Sequence, residues 1–165
     1  MTEEHNKLVD AYERFSQKTK DFLEESQDKT SQAFDHAIEK ARESLVKAKE
    51  LSQEESERLK AFLKRDLEQT ANDIRSIESF TVEHLKPSSV KTGFYNLVSY
   101  LSSHSAELFE SMADWADKEV IVHTGEITGP TTLSCESCKA ELHFKESGKV
   151  PPCPKCHKTE FRRKR

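Results

Sequence analysis

Two cysteine pairs, Cys135-Glu136-Ser137-Cys138 and Cys153-Pro154-Lys155-Cys156, constrain this chain more than any other feature. They read C-x₂-C-x₁₄-C-x₂-C. Two residues between cysteines let the backbone fold into a knuckle that aims both sulfurs at one point. Two facing knuckles supply four thiolates in a tetrahedron around a metal at ~2.3 Å. Such a set selects a soft or borderline ion, zinc first, and excludes magnesium and calcium. All four cysteines of the chain are accounted for. The spacing predicts one structural zinc ion held by Cys135, Cys138, Cys153 and Cys156.

Other readings of the four cysteines are weaker. Disulfides need an oxidising compartment, and the polar opening Met1–Lys7 has no apolar segment of a secretory signal. A redox C-x-x-C usually occurs once, beside a βαβ pattern that this sequence lacks. Iron takes the same four ligands, but the short loop and sparse aromatics favour zinc. Four protein ligands leave no open position for water or substrate, so a catalytic metal is not expected. His143 and His157 lie nearby and read as solvent-facing histidines rather than ligands.

The 165 residues are 34 % apolar and 34 % charged, with mean hydropathy −0.81. This composition suits long, solvent-washed helices better than a thick core. No run of ~18 apolar residues exists to span a membrane. Free thiols and the missing signal predict a cytoplasmic location. Residues 1–118 hold 17 Lys/Arg against 24 Asp/Glu, whereas residues 119–165 hold 9 against 6. An acidic body with a faintly basic tip argues against a protein built mainly to neutralise phosphates.

The first proline is Pro87 and the first glycine Gly93, so the opening 86 residues read as helix with few forced stops. Apolar stripes at alternating spacings of four and three run through Leu8, Tyr12, Phe15, Thr19 and Phe22, through Phe34, Ile38, Ala41, Leu45 and Ala48, and through Leu59, Leu63, Leu67, Thr70, Ile74 and Ile77. Each is a narrow, coiled-coil-like seam that wants a partner helix. The polar stretch 26–31 interrupts the first two. Ser52 with Glu55 is a capping box, so one helix ends near 49–51 and an antiparallel neighbour begins at Ser52. Pro87 is expected to end that helix, with Ser88, Ser89 and Thr92 as candidate caps for the next. Phe94, Val98, Leu101, Ser105, Leu108, Met112 and Trp115 give the richest apolar face, read as helical core.

From Glu119 the grammar turns to β-branched residues and turn formers. Val120-Ile121-Val122, Thr131–Ser134, Ala140–Phe144 and Thr159–Arg162 are the expected strands. The predicted fold is mainly α: antiparallel helical hairpins over 1–118 (helices about 3–50, with 26–31 a loop or a solvated helical bridge, then 52–86 and 92–118), followed by a small β zinc ribbon with a basic tail over 119–165. The ribbon's apolar residues are too few to fold it unaided, so metal supplies the folding energy. Chelation is expected to unfold this part and leave the helices standing.

The segments His123-Thr124-Gly125-Glu126-Ile127-Thr128-Gly129, Leu133–Cys138 and Cys153–Cys156, with Glu50-Leu51-Ser52 and Lys64-Arg65-Asp66-Leu67-Glu68 upstream, resemble the YbeL-like family of small bacterial zinc-ribbon-containing proteins. The resemblance covers most of the chain. It implies a helical N-terminal region, a C-terminal ribbon and a cytoplasmic location, and no known activity. His157 departs from the glycine often found after such a knuckle, where the backbone is left-handed.

Three functional classes follow. A non-enzymatic interaction or regulatory protein is favoured, its helices meeting a protein partner or another copy. A nucleic-acid-binding module is the alternative, using Phe161 and the basic tail Arg162–Arg165 for stacking and phosphate contacts; a solvated basic tail is the plainer reading. An enzyme is not expected: the sequence has no Gly-rich phosphate loop, no G-x-S-x-G and no H-E-x-x-H, and His36, His84 and His104 stand isolated.

Overall fold

A computed structural model describes residues 2–88, 91–117 and 119–164, the side chains of residues 2, 4 and 5 excepted. Five α-helices precede a small antiparallel β region: α1 (Thr2–Glu25), α2 (Ser31–Lys47), α3 (Gln53–Ser76), α4 (Gly93–His104) and α5 (Ala106–Trp115), with a 3₁₀ turn at Val82–Leu85 between α3 and α4. The mainly α plan with a C-terminal β ribbon is therefore as the sequence predicts.

The polar stretch 26–31 is a loop between two well-closed helix ends. Lys29 Nζ donates to the carbonyls of Leu23 and Ser26 at 2.6 and 2.7 Å, satisfying terminal acceptors of α1. Thr30 caps α2 by accepting the Ala33 N–H at 3.2 Å. At the other end of α2, Lys49 takes φ +57°, while the Glu50 and Lys49 N–H groups reach back to the Leu45 and Val46 carbonyls. This is a Schellman closure with lysine where glycine is usual. The capping box opens α3, Glu55 N–H donating to Ser52 Oγ and Ser52 N–H to Glu55 Oε2 at 2.8 Å.

Two helix boundaries differ from expectation. α3 stops at Ser76, well before Pro87, and Ile77 turns extended. Ser76, Ser79, Thr81 and Val82 are poor helix formers that favour local turns, and the Thr81 N–H donates to His84 Nδ1 at 3.0 Å. The helix expected over 92–118 is two helices, broken where Ser105 adopts φ −141° and ψ 47° within a Ser-Ser-His-Ser run. Thr92 occupies the position before α4 without a side-chain cap; Glu13 of α1 takes the Phe94 N–H instead, at 2.9 Å. The candidate cap Ser89 lies outside the described residues.

Cross-helix contacts fix directions. Lys64 meets Asp35 at 3.0 Å, Lys60 meets Glu39 at 2.7 Å and Arg42 meets Ser56 at 3.1 Å, so α2 and α3 are antiparallel. Arg14 with Glu50 and Lys40 over Phe22 set α1 antiparallel to α2. Glu13 to Phe94 and Gln17 to Asn96 set α4 parallel to α1. The apolar stripes therefore find their partners within the chain: Tyr12, Phe15, Ile38, Leu45, Leu63, Leu67, Leu97 and Leu101 are all fully buried. α2 and α3 are the antiparallel neighbours expected on either side of Ser52. Trp115 is a correction: expected in the core, it is 48 % exposed, the one large apolar side chain so exposed among the described residues.

The β region comprises β1 (Ile121–His123), β2 (Ile127–Thr128), β3 (Thr131–Cys135), β4 (Glu141–Phe144), β5 (Gly148–Lys149) and β6 (Glu160–Arg163). Four of them form an antiparallel sheet in the order β1-β6-β3-β4, while β2 pairs with β5. Val122, Leu133, Val150 and Phe161 make a small core with the cysteines. Ile127 of β2 belongs instead to the helical core, 1 % exposed. No helix among the described residues is long and apolar enough to cross a membrane.

Candidate metal centre

Each knuckle is built by backbone geometry. The Lys139 N–H donates to the Cys135 carbonyl at 3.0 Å, and the His157 N–H to the Cys153 carbonyl at 2.9 Å. Lys139 and His157, the residues that follow each pair, are both left-handed, with φ +61° and +62°. His157 thus takes the backbone that its position demands, at the steric cost that a Cβ brings there. Cys135 closes back on Ala140, and Cys153 on Lys158, through N–H···O bonds at 2.8 and 2.9 Å.

The two knuckles bring all four Sγ atoms within 4.8 Å of one another. Cys135 to Cys156 and Cys138 to Cys153 are 3.5 Å apart, close to the ~3.8 Å edge of a tetrahedron with 2.3 Å metal–sulfur bonds. The cysteines are free thiols, with Cys135 and Cys153 buried. Electrostatics already favour a cation there. Backbone N–H groups of Cys138 and Ser137 lower the Cys135 thiol, and those of Cys156 and Lys155 bring Cys153 down to about 6. Cys156 also accepts from the Lys158 N–H, yet burial and the neighbouring sulfurs push it up to about 12. Four anionic sulfurs at this spacing repel one another unless a cation sits among them, so the donor set fits a soft metal ion. His143 and His157 are exposed and take no part in the sulfur cluster; His143 Nδ1 lies 3.2 Å from Thr132 Oγ1. His84 stacks on Phe80 and His104 on Tyr100.

The sulfur cluster is tied to the helices by a polar network that pattern reading did not identify. Asp66 of α3, 1 % exposed, accepts the Tyr12 hydroxyl at 2.5 Å and the Gly129 N–H at 2.9 Å on one oxygen. Its other oxygen meets Arg65 Nε at 3.0 Å. Arg65 continues to Glu126 at 2.5 Å and to the Ile127 carbonyl at 2.9 Å. Burial and the Asp66 carboxylate hold the Tyr12 phenol well above its ordinary range. The two stretches Lys64–Glu68 and His123–Gly129 are therefore the two halves of one joint. A signal existed: Asp66 is three residues past Leu63 and seven past Leu59, a carboxylate on an apolar stripe.

The basic tail forms the second tie. Arg163 of β6 reaches Asp73 of α3 at 2.9 Å, and both side chains are over nine-tenths buried. Arg162 pairs with Glu136 at 2.9 Å and Lys164 with Glu141. Phe161 is fully buried in the ribbon core. The tail residues up to 164 are neither frayed nor open-handed; Arg165 lies outside the described residues.

Comparison with known proteins agrees with this anatomy. A family model described as a zinc-ribbon containing domain matches residues 21–165. The uncharacterized protein YbeL of Escherichia coli K12 is 28 % identical over 144 residues, covering 79 % of this chain and 81 % of the relative. Its counterparts in the O6:H1 and O157:H7 strains match equally. No solved structure matches. With the family model spanning the helices from the last turn of α1 onward and the four-cysteine ribbon, the chain belongs to the zinc-ribbon-containing domain family.

Proposed function

We propose that the protein is a non-enzymatic, cytoplasmic zinc-binding protein with a protein-interaction or regulatory role. One structural zinc ion, held by Cys135, Cys138, Cys153 and Cys156, fixes the ribbon against an acidic helical body. The observation that carries this reading is the closed four-sulfur cluster grafted onto α3 through Arg65, Asp66 and Arg163. Four sulfurs complete a tetrahedral ion and leave it no coordination site for chemistry. Its work is then to hold a surface in shape.

The nucleic-acid alternative draws less support from the same residues. Arg162, Arg163 and Lys164 each already face a carboxylate, and a buried Phe161 offers no face for a base to stack on.

Metal analysis of the purified chain, followed by pull-downs with the intact chain and with Cys135→Ser, tests the reading. The expected result is one zinc per chain, and protein partners retained by the intact form but lost with Cys135→Ser. Iron in place of zinc would overturn the metal assignment. Nucleic acid as the retained species, lost steeply with salt, would overturn the interaction reading.

A further inference from the structure

A groove of about 730 Å³ lies between the end of α3 with its following 3₁₀ turn and the β3–β4 side of the ribbon. Ile77, Phe80, Leu85 and Phe144 give it an apolar lining. Its charged residues divide into two kinds. Arg163 with Asp73, and Lys164 with Glu141, cancel in pairs. Lys86 and Lys145 are exposed and have no ion-pair partner among the described residues. In a chain of net charge −4, this groove is apolar inside and cationic at the rim.

The same chain carries the complementary feature. Residues 106–117 hold four acidic residues and no basic one. Glu107, Glu110 and Asp114 follow one another at three and four residues, so they share one exposed face of α5. Asp114 is engaged only by an exposed pairing with Arg75, a contact of the weak surface kind. At the end of that helix stands Trp115, 48 % exposed. A tryptophan is the side chain most often found as a binding anchor, because its large rigid surface buries at little entropic cost.

We propose that Trp115 and the acidic face of α5 dock into the groove of a second copy of this chain. The indole fills the apolar lining of the groove, and the α5 carboxylates meet Lys86 and Lys145. The contact joins two different surfaces. It closes into a dimer when both copies make it at once and extends into longer species when they do not. The proposal rests on the interaction reading above and names self-association as its form. A monomer would overturn the proposal alone, since the Cys135→Ser pull-down tests the broader reading.

Sedimentation velocity of the metal-loaded full chain over a range of protein concentrations, at low and high salt, tests it. Trp115 is the only tryptophan, so its emission reports the contact directly. Dimers or larger species are expected, with a blue shift of emission as they form and weakening as salt screens the rim charges. Trp115→Ala and the pair Lys86→Glu with Lys145→Glu should each weaken association at least ~10-fold, the usual loss at a buried anchor. Adding Glu107→Lys with Glu110→Lys chains to the Lys86→Glu, Lys145→Glu form should restore mixed association. A monomer at every concentration, or association that Trp115→Ala leaves unchanged, would overturn the proposal.

Discussion

Asp66 shows how much one buried carboxylate can organise. It is the shared acceptor for a side chain of α1 and a backbone amide of the ribbon, and Arg65 balances its charge. Replacing it with alanine strands the Tyr12 hydroxyl, the Gly129 N–H and one face of Arg65 in a dry site. Asp66→Ala should cost about 3 kcal/mol, whereas Tyr12→Phe, which removes one neutral donor, should cost about 1 kcal/mol. Urea melts of the two variants check this, and equal costs would contradict the hub. Glu13 gives a pH signature of opposite sense. Burial raises its carboxyl above the ordinary 4.5 although the Phe94 N–H bonds to it. Because the folded value lies above the unfolded one, stability is greatest below the unfolded pKa and is lost as pH rises through the folded one. Glu13→Gln should flatten the stability profile just above pH 4.5, as urea titrations at stepped pH would show. Asp66 left one mark in the sequence, its place on an apolar stripe, and Glu13 left none. Carboxylates abound in this chain, and the packing of α1 against α3 and α4 gives these two their partners. The four cysteines were legible because their chemistry is written in local spacing, which backbone geometry alone converts into a cluster.

Among the elements, the tie between β6 and α3 changes how the chain's end is understood. Arg162–Lys164 resemble a loose basic tail in sequence because their partners sit far away, Asp73 being 90 residues upstream of Arg163. The pairing of β6 with β1 and β3 aims Arg163 at α3. Arg163→Ala should destabilise the protein by about 3 kcal/mol, since it leaves Asp73 buried and unpaired. The double change Asp73→Ala with Arg163→Ala should recover part of that loss. A double-mutant cycle that returns simple additivity would sink the pair. The helix breaks at Ser76 and Ser105 escaped pattern reading for a related reason. Serine and threonine are tolerated in helices as well as turns, and tertiary contacts decide between them. The Ser52 box and the 26–31 loop were legible because both are closed by side chains within a few residues. Gly93 marks another long-range demand. A Cβ there would meet the Glu13 carbonyl oxygen at 2.0 Å, so the helices cannot keep their spacing if it is replaced.

For the whole molecule, the boundary near residue 119 separates helix from strand and the helical core from the small ribbon core, yet buried contacts cross it. Ile127 is buried among the helices, Gly129 is held by Asp66, and Arg163 is buried against α3. The sequence suggests two independent parts because the composition changes abruptly there, and composition says nothing about which faces meet. The consequence is thermodynamic. Structural zinc sites contribute ~10–16 kcal/mol to folding, and a ribbon that loses its metal loses the strands that position Ile127, Gly129 and Arg163. The helical body then exposes part of its core and strands two buried charges. The expectation that chelation leaves the helices untouched therefore gives way to a coupled one. A chelator should lower the midpoint at which the 222 nm helical signal melts, not only abolish the ribbon. Arg163→Ala should shrink that metal-dependent shift, because it cuts one of the ties that transmits it. A helical midpoint identical with and without metal would mean that the ties are too weak to link the two parts. A shift unchanged in Arg163→Ala would assign the linkage to Ile127 and the Asp66 joint instead.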